Sequence, residues 1–348
     1  MSKPTMEQPA KGLKGPTYRI PVDGAWASAW KVAAVLGAIG LLVSAFGWST
    51  DPHRFAFSWL FAFMAVLPVG LGGLFFVLCQ HLTGAGWGVP VRRTAEHMMI
   101  GLFAFLPLFV PVLFNLDQLY PWMTHGGAGE EHRAPGHGGP AVPQEEQPAP
   151  GHILEQGALT SGSGVARAQD AQNPWDIHPD EREPETDRHS PEHAAHAAVL
   201  EAKSGFLARG FFMVRAGVYF LAWMLLAFFF FSWSTRQDKE KGLALTKKME
   251  ALAPPATLVF AFTLTFAAVD WMMSMEPGWY STIFGVIYFA ISSVIGLAVI
   301  ILISLGMRRD GLVGEAVTVE HFHDLGKLLH GFIVFWAYVS FSQFMLIW

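Results

Sequence analysis

The sequence is poor in charge and nearly devoid of cysteine. Only 15% of its 348 residues are charged, against about 25% in ordinary soluble domains. A soluble protein of this size needs far more polar surface to cover its core, which excludes a typical cytosolic enzyme. The single cysteine, Cys79, excludes an intrachain disulfide, a cysteine-ligated iron–sulfur cluster and a Cys-x-x-Cys-His haem attachment. Redox centres that work with this protein are therefore expected on partners, with no cofactor covalently bound here. Residues 1–28 are polar and rich in Pro and Gly, and read as a tail rather than a cleavable signal peptide.

What the chain has in abundance is apolar and aromatic: 52% hydrophobic residues, with 29 Phe and 13 Trp. Seven runs are long enough to cross a hydrocarbon core about 30 Å thick. They cover 29–48, 56–79, 98–116, 208–233, 254–273, 281–307 and 328–348. The third contains Pro107 and Pro111 and is expected to be kinked. The fold expected is all-α, a polytopic transmembrane helix bundle with seven spans. Its organisation is a tail (1–28), spans one to three (29–116), a long insertion (117–207) and spans four to seven (208–348). The last run stops at Trp348 without a polar exit, so a C-terminally truncated bundle is expected.

Orientation follows from Lys and Arg in the short connections. The tail and the even-numbered connections carry fourteen, among them Arg92, Arg93, Lys247, Lys248, Arg308 and Arg309, whereas the first and fifth connections carry one, Arg54. This places the N-terminus in the cytoplasm and the insertion outside. The insertion holds eight histidines between His125 and His196, many Pro, Gly and Glu, and few aliphatic residues. Such a composition buries too little apolar surface to offset ordering entropy, so the segment is expected to be mostly disordered. His189, His193 and His196 would share a face if a helix began there, which leaves a weak transition-metal reading beside the simpler one of a solvated insertion.

Ionisable residues within spans cost about 2.5–3.5 kcal/mol each on insertion scales and need a reason. Asp270 lies near the outer end of the fifth span, and Arg215 about two turns into the fourth, in the same outer half. Depth permits an Arg215–Asp270 pair, with Asp117 positioned to join it. Such a group can handle a proton or hold a quinone headgroup, because quinol oxidation releases two protons and needs partners at the ring oxygens. The competing reading is a structural ion pair or interfacial snorkelling. Asp117 and Glu276, close to water, fit the second reading better. A second group, Glu96, His97 and His330 with His81, Asp324 and Lys327, lies toward the inner ends and suggests the mouth of a proton half-channel. Ser340, Ser342 and Gln343 give the last span a polar side suited to helix packing. A transporter would be expected to show paired broken helices, and Pro107/Pro111 gives one with no clear mate.

Two long stretches carry a family resemblance: 323–348, HDLGKLLHGFIVFWAYVSFSQFMLIW, and 270–286, DWMMSMEPGWYSTIFGV, with 79–93, CQHLTGAGWGVPVRR, in keeping. They resemble the ActF-type membrane subunits of bacterial alternative complex III, which belong with the NrfD/PsrC-like integral membrane proteins. The resemblance covers the apolar spans and not the 120–200 insertion. It implies a bundle of typically ten helices, of which seven are visible here. It implies a subunit of a quinol:acceptor oxidoreductase in the bacterial inner membrane, with no redox centre of its own. Quinone or menaquinone is the ligand it suggests. The partners it implies are an iron–sulfur subunit, multihaem cytochrome c subunits, a homologous NrfD-like subunit and membrane lipids, with no nucleic acid. Asp270 and Glu96/His97 are the candidates for a proton path, on charge and depth rather than on a motif. A purely structural anchor for the redox subunits is the alternative.

Overall fold

The computed structural model describes residues 25–120, 122–125, 191–240, 242–313 and 316–348. The expected disorder of the insertion falls almost wholly outside these residues. The chain divides into two units, one of residues 1–127 and 199–348, the other of residues 128–198. Of the second unit only the start of one helix is described.

The described residues are helical, with no strand among them. The helices are α1 (Ala25–Thr50), α2 (Pro52–Leu82), α3 (Val89–Ile100), α4 (Leu102–Phe114), α5 (Leu116–Leu119), α6 (Trp122–His125), α7 (Pro191–Leu207), α8 (Arg209–Gln237), α9 (Ala244–Trp271), α10 (Phe284–Arg309) and α11 (Val319–Ile347). Seven segments are long and apolar enough to cross a membrane: α1, α2, α3 with α4, α8, α9 with the short turn after it, α10 and α11. The chain is thus an all-α, multi-pass membrane protein.

The expected spans are all present, but the helices are longer than the apolar runs. The fifth begins at Ala244 rather than Pro254, and the seventh at Val319 rather than residue 328. Polar turns extend these helices beyond the hydrocarbon-length core, and hydropathy alone cannot see them. In the third span the helix breaks at Gly101, between α3 and α4, while Pro107 and Pro111 lie inside α4. His193 and His196 lie in α7, which starts at Pro191 as a first-turn proline allows, but their side chains and all of His189 are outside what is described.

α2 is the centre of the bundle. Asp51 caps it, its carboxylate accepting the Arg54 N–H at 3.0 Å, and Pro52 follows where a missing N–H costs nothing. Small residues let its neighbours approach. A Cβ on Gly72 would sit 2.3 Å from the Ser292 carbonyl oxygen and 2.6 Å from Gly296 Cα, and one on Gly73 would sit 2.9 Å from the Ala95 oxygen. α10 therefore closes on Gly72 and α3 on the adjoining Gly73, on neighbouring faces of α2, as small residues permit in membrane helices. The Tyr288 hydroxyl donates to Met64 O at 3.0 Å, 224 positions away, the same offset that separates Gly72 from Gly296. α2 and α10 consequently run parallel and in step.

The bundle has two distinguishable ends. One gathers the basic connections: Arg93 bridges α3 to Asp238 after α8 at 2.5 Å, and the Trp26 indole on α1 donates to Asp310 after α10. The other gathers the ends of α4, α8 and α9. There Trp122 Nε1 donates to Ser274 O at 2.8 Å, and Arg209 pairs with Asp117 at 3.0 Å. α1 and α11 leave nearly all of their apolar surface uncovered, as helices facing lipid or a neighbouring subunit do.

Candidate functional site

Asp270 is the penultimate residue of α9 and is 1% exposed. A buried carboxylate needs its charge and lone pairs met. Arg215, on α8, meets them bidentately: Nε donates to Oδ2 at 2.7 Å and Nη2 to Oδ1 at 3.0 Å. The Tyr219 hydroxyl, one turn further along α8, donates to Oδ2 at 2.6 Å. These charge-assisted bonds are the strong kind, and the paired guanidinium geometry fixes the orientation of both side chains. The pair that depth permitted is therefore formed. Asp117 does not join it; Arg209 holds Asp117 in an exposed pair on α5, three residues after the end of α4. Glu276 is exposed.

Arg215 is clamped further. Its Nη1 donates to Phe206 O at 2.7 Å, and its guanidinium carbon lies 3.9 Å from the Phe206 ring centre and 4.4 Å from that of Phe211. Stacking on two aromatic faces suits a weakly hydrated guanidinium. Behind the pair lies an aromatic nest around Trp271, which is wholly buried. Phe109 is 4.7 Å away, Phe220 5.5 Å, Trp223 and Tyr219 5.9 Å and Phe63 6.0 Å, between ring centres. The Tyr120 hydroxyl donates to Trp271 O at 2.9 Å. Burial, with the nearby Asp270 charge, pushes the Tyr120 phenol well above the ordinary tyrosine range, so it remains a donor. This nest walls Asp270 off on its inner side.

On the outer side a groove of about 370 Å³ opens between α8 and α9. Phe206, Phe211, Val214, Val218 and Phe266 form its apolar walls, and Arg215 and Tyr219 are the polar groups that reach it. Asp270 does not line it. Of the five guanidinium N–H groups, three are engaged by Asp270 and Phe206, leaving two for another partner. The phenol oxygen, already donating to Asp270, retains acceptor capacity.

The inner group is divided. Glu96 is 1% exposed and held by Arg92 Nε at 3.1 Å, Arg93 Nη1 at 2.6 Å and the Ser234 hydroxyl of α8 at 2.6 Å. His97, the next residue, turns away: it is exposed, with Nδ1 2.7 Å from Arg93 O. His330 is exposed on α11, which packs chiefly on α10. The three are thus not gathered into one mouth. His81 is the buried histidine at this end, 3% exposed, and its Nε2 has no hydrogen-bond partner among the described residues. The same holds for Gln80 Oε1 and Ser304 Oγ, which the common α2–α10 offset sets level with each other. Buried polar atoms without protein partners are where internal water is found.

Sequence reasoning missed Tyr219, although its spacing of four from Arg215 on one helix was legible. It also missed Ser234 and the stacking of Phe206 and Phe211. Gln343 behaves as expected of a packing residue, accepting the Ser281 hydroxyl from the α9–α10 connection. A scan against protein-family models finds no match to the chain, and a search of curated proteins finds none either.

Proposed function

We propose that this protein is an integral membrane subunit of a quinol-oxidising respiratory complex of the alternative complex III type, and that the groove beside Arg215 receives the quinol headgroup. The observation that carries the reading is a buried ion pair whose cation and tyrosine, but not whose carboxylate, reach a lipid-side apolar groove. The resemblance of 270–286 and 323–348 to the ActF-type subunits supports the same assignment.

In this reading the guanidinium donates to a ring oxygen through its unused N–H groups. The quinol hydroxyl donates to Tyr219 Oη while the Tyr219 proton moves along its 2.6 Å hydrogen bond toward Asp270 Oδ2. Oxidation of one quinol releases two protons and two electrons. The protons leave through the polar groups of this chain, and the electrons would be taken up by iron–sulfur and haem groups on partner subunits, as the resemblance implies; one cysteine, Cys79, is too few to ligate an iron–sulfur cluster here. The inner polar atoms of Gln80, His81 and Ser304, with Glu96, are the place where a hydrated half-channel would start. The chain then sits in the bacterial inner membrane with the basic end in the cytoplasm.

The scaffold reading is favoured by one feature: every oxygen of Asp270 is already held, as a purely structural pair requires. Val218→Trp separates the two. It fills the groove while leaving Arg215, Tyr219 and Asp270 in place. The quinol reading expects loss of quinol oxidation in the assembled complex with normal assembly, and the scaffold reading expects full activity.

A further inference from the structure

A second cavity lies on the other side of Phe206, and it is larger. It measures about 550 Å³ and is bounded by the last turns of α7 and by the connection from α9 to α10. That is the size range in which a protein buries most of a small ligand. Its walls are hydrocarbon and aromatic, including Leu207, Val269, Met273 and Trp279. The polar atoms in the walls are largely spoken for. The Ser274 hydroxyl donates to Asp270 O, its carbonyl accepts Trp122 Nε1, and the Pro277 carbonyl accepts Lys203 Nζ at 2.7 Å.

Lys203 is the exception. An ammonium has three N–H groups, and the Pro277 carbonyl takes one. No ion pair of Lys203 with a carboxylate is present among the described residues, in contrast to Arg209 with Asp117 and Arg215 with Asp270 nearby. Glu276, beside Pro277, is exposed and its carboxylate makes no such pair. The Lys203 ammonium also lies 5.9 Å from the ring centre of Tyr280, whose side of the cavity is open, with Tyr280 75% exposed. A lysine, a tyrosine and a tryptophan around the mouth of an apolar cavity, at one end of the spans, form the chemistry of a membrane interface.

We propose that this cavity binds an anionic phospholipid, with an acyl chain in the apolar interior and the phosphate on Lys203. The charge sets the headgroup: a net negative lipid matches the one ammonium at the mouth, and a zwitterionic lipid brings its own cation. The site stands apart from the Arg215 groove, with the Phe206 ring between them, and it does not depend on the quinol reading.

The test is native mass spectrometry of the protein taken from nanodiscs of equal parts phosphatidylglycerol and phosphatidylcholine. The wild type is expected to retain phosphatidylglycerol in preference to phosphatidylcholine by about fivefold, the worth of one lysine at an anionic surface. Lys203→Gln should bring that ratio to near one, and Lys203→Arg should keep it. Ala202→Trp, which fills the cavity, should release both lipids while helicity is unchanged. Equal retention of the two lipids by the wild type, or an unchanged preference in Lys203→Gln, overturns the proposal. So does loss of extractable quinone rather than of phospholipid in Ala202→Trp, which would make the cavity the seat of a quinone tail.

Discussion

Two carboxylates in this bundle are equally buried, and they are held in different ways. Glu96 takes both of its arginines from its own helix, at spacings of four and three, with Ser234 as its tie to α8. Asp270 takes its arginine and tyrosine from another helix, 55 and 51 positions away, and contributes the sole carboxylate of that cluster. The arginines on Glu96 are 18% and 35% exposed in their side chains and reach outward, whereas Arg215 is 11% exposed. The first centre is assembled largely within one helix, with its cations partly exposed. The second exists only when α8 and α9 are docked, and its cation looks into a groove. Burial of a charge therefore does not by itself mark function. What distinguishes Asp270 is the route by which its partners reach a ligand-sized space.

Substitutions at the two centres and at the helix seams should differ widely in cost. Asp270→Ala leaves a guanidinium unpaired in the apolar interior and should cost about 3–5 kcal/mol. Unfolding of the purified protein in detergent measures it, and a cost no larger than that of Glu96→Gln would make the two centres equivalent. Gly72→Ala forces a methyl group against the Ser292 carbonyl oxygen and should cost about 1–3 kcal/mol by parting α2 from α10. Because that seam lies away from Asp270, the loss should add to that of Asp270→Ala within about 0.5 kcal/mol. Glu96→Gln should cost only about 1–2 kcal/mol, since its arginines can turn to water. Asp117→Asn, in an exposed pair with Arg209, should change stability by less than about 1 kcal/mol.

Much of this was written in the sequence. The seven spans followed from apolar run length, and the depth of Arg215 and Asp270 followed from counting along them. Pairing could be expected because a buried charge is too costly alone. Other features were out of reach for physical reasons. Helix ends such as Ala244 and Val319 lie in polar turns that hydropathy does not register. The break in the third span falls at Gly101, where a Cβ would meet the Met98 carbonyl oxygen at 2.9 Å, and not at the prolines that draw the eye. His97 follows Glu96 in sequence, yet a helix turns each residue about 100° from the last, so one is buried and the other exposed. The groove is a property of two helix faces meeting Phe206 from a third, which no single segment contains.

Occupancy of the space beside Arg215 by the proposed quinol headgroup can be measured. A photoreactive azidoquinone, added to the intact complex in its membrane and mapped by mass spectrometry, tests it most directly. Labelling is expected on Phe211, Val214, Val218 or Phe266, competed by excess quinol and abolished in Arg215→Gln. Labelling that avoids these residues, or that persists unchanged in Arg215→Gln, would contradict the account and leave the Arg215–Asp270 pair a structural clasp.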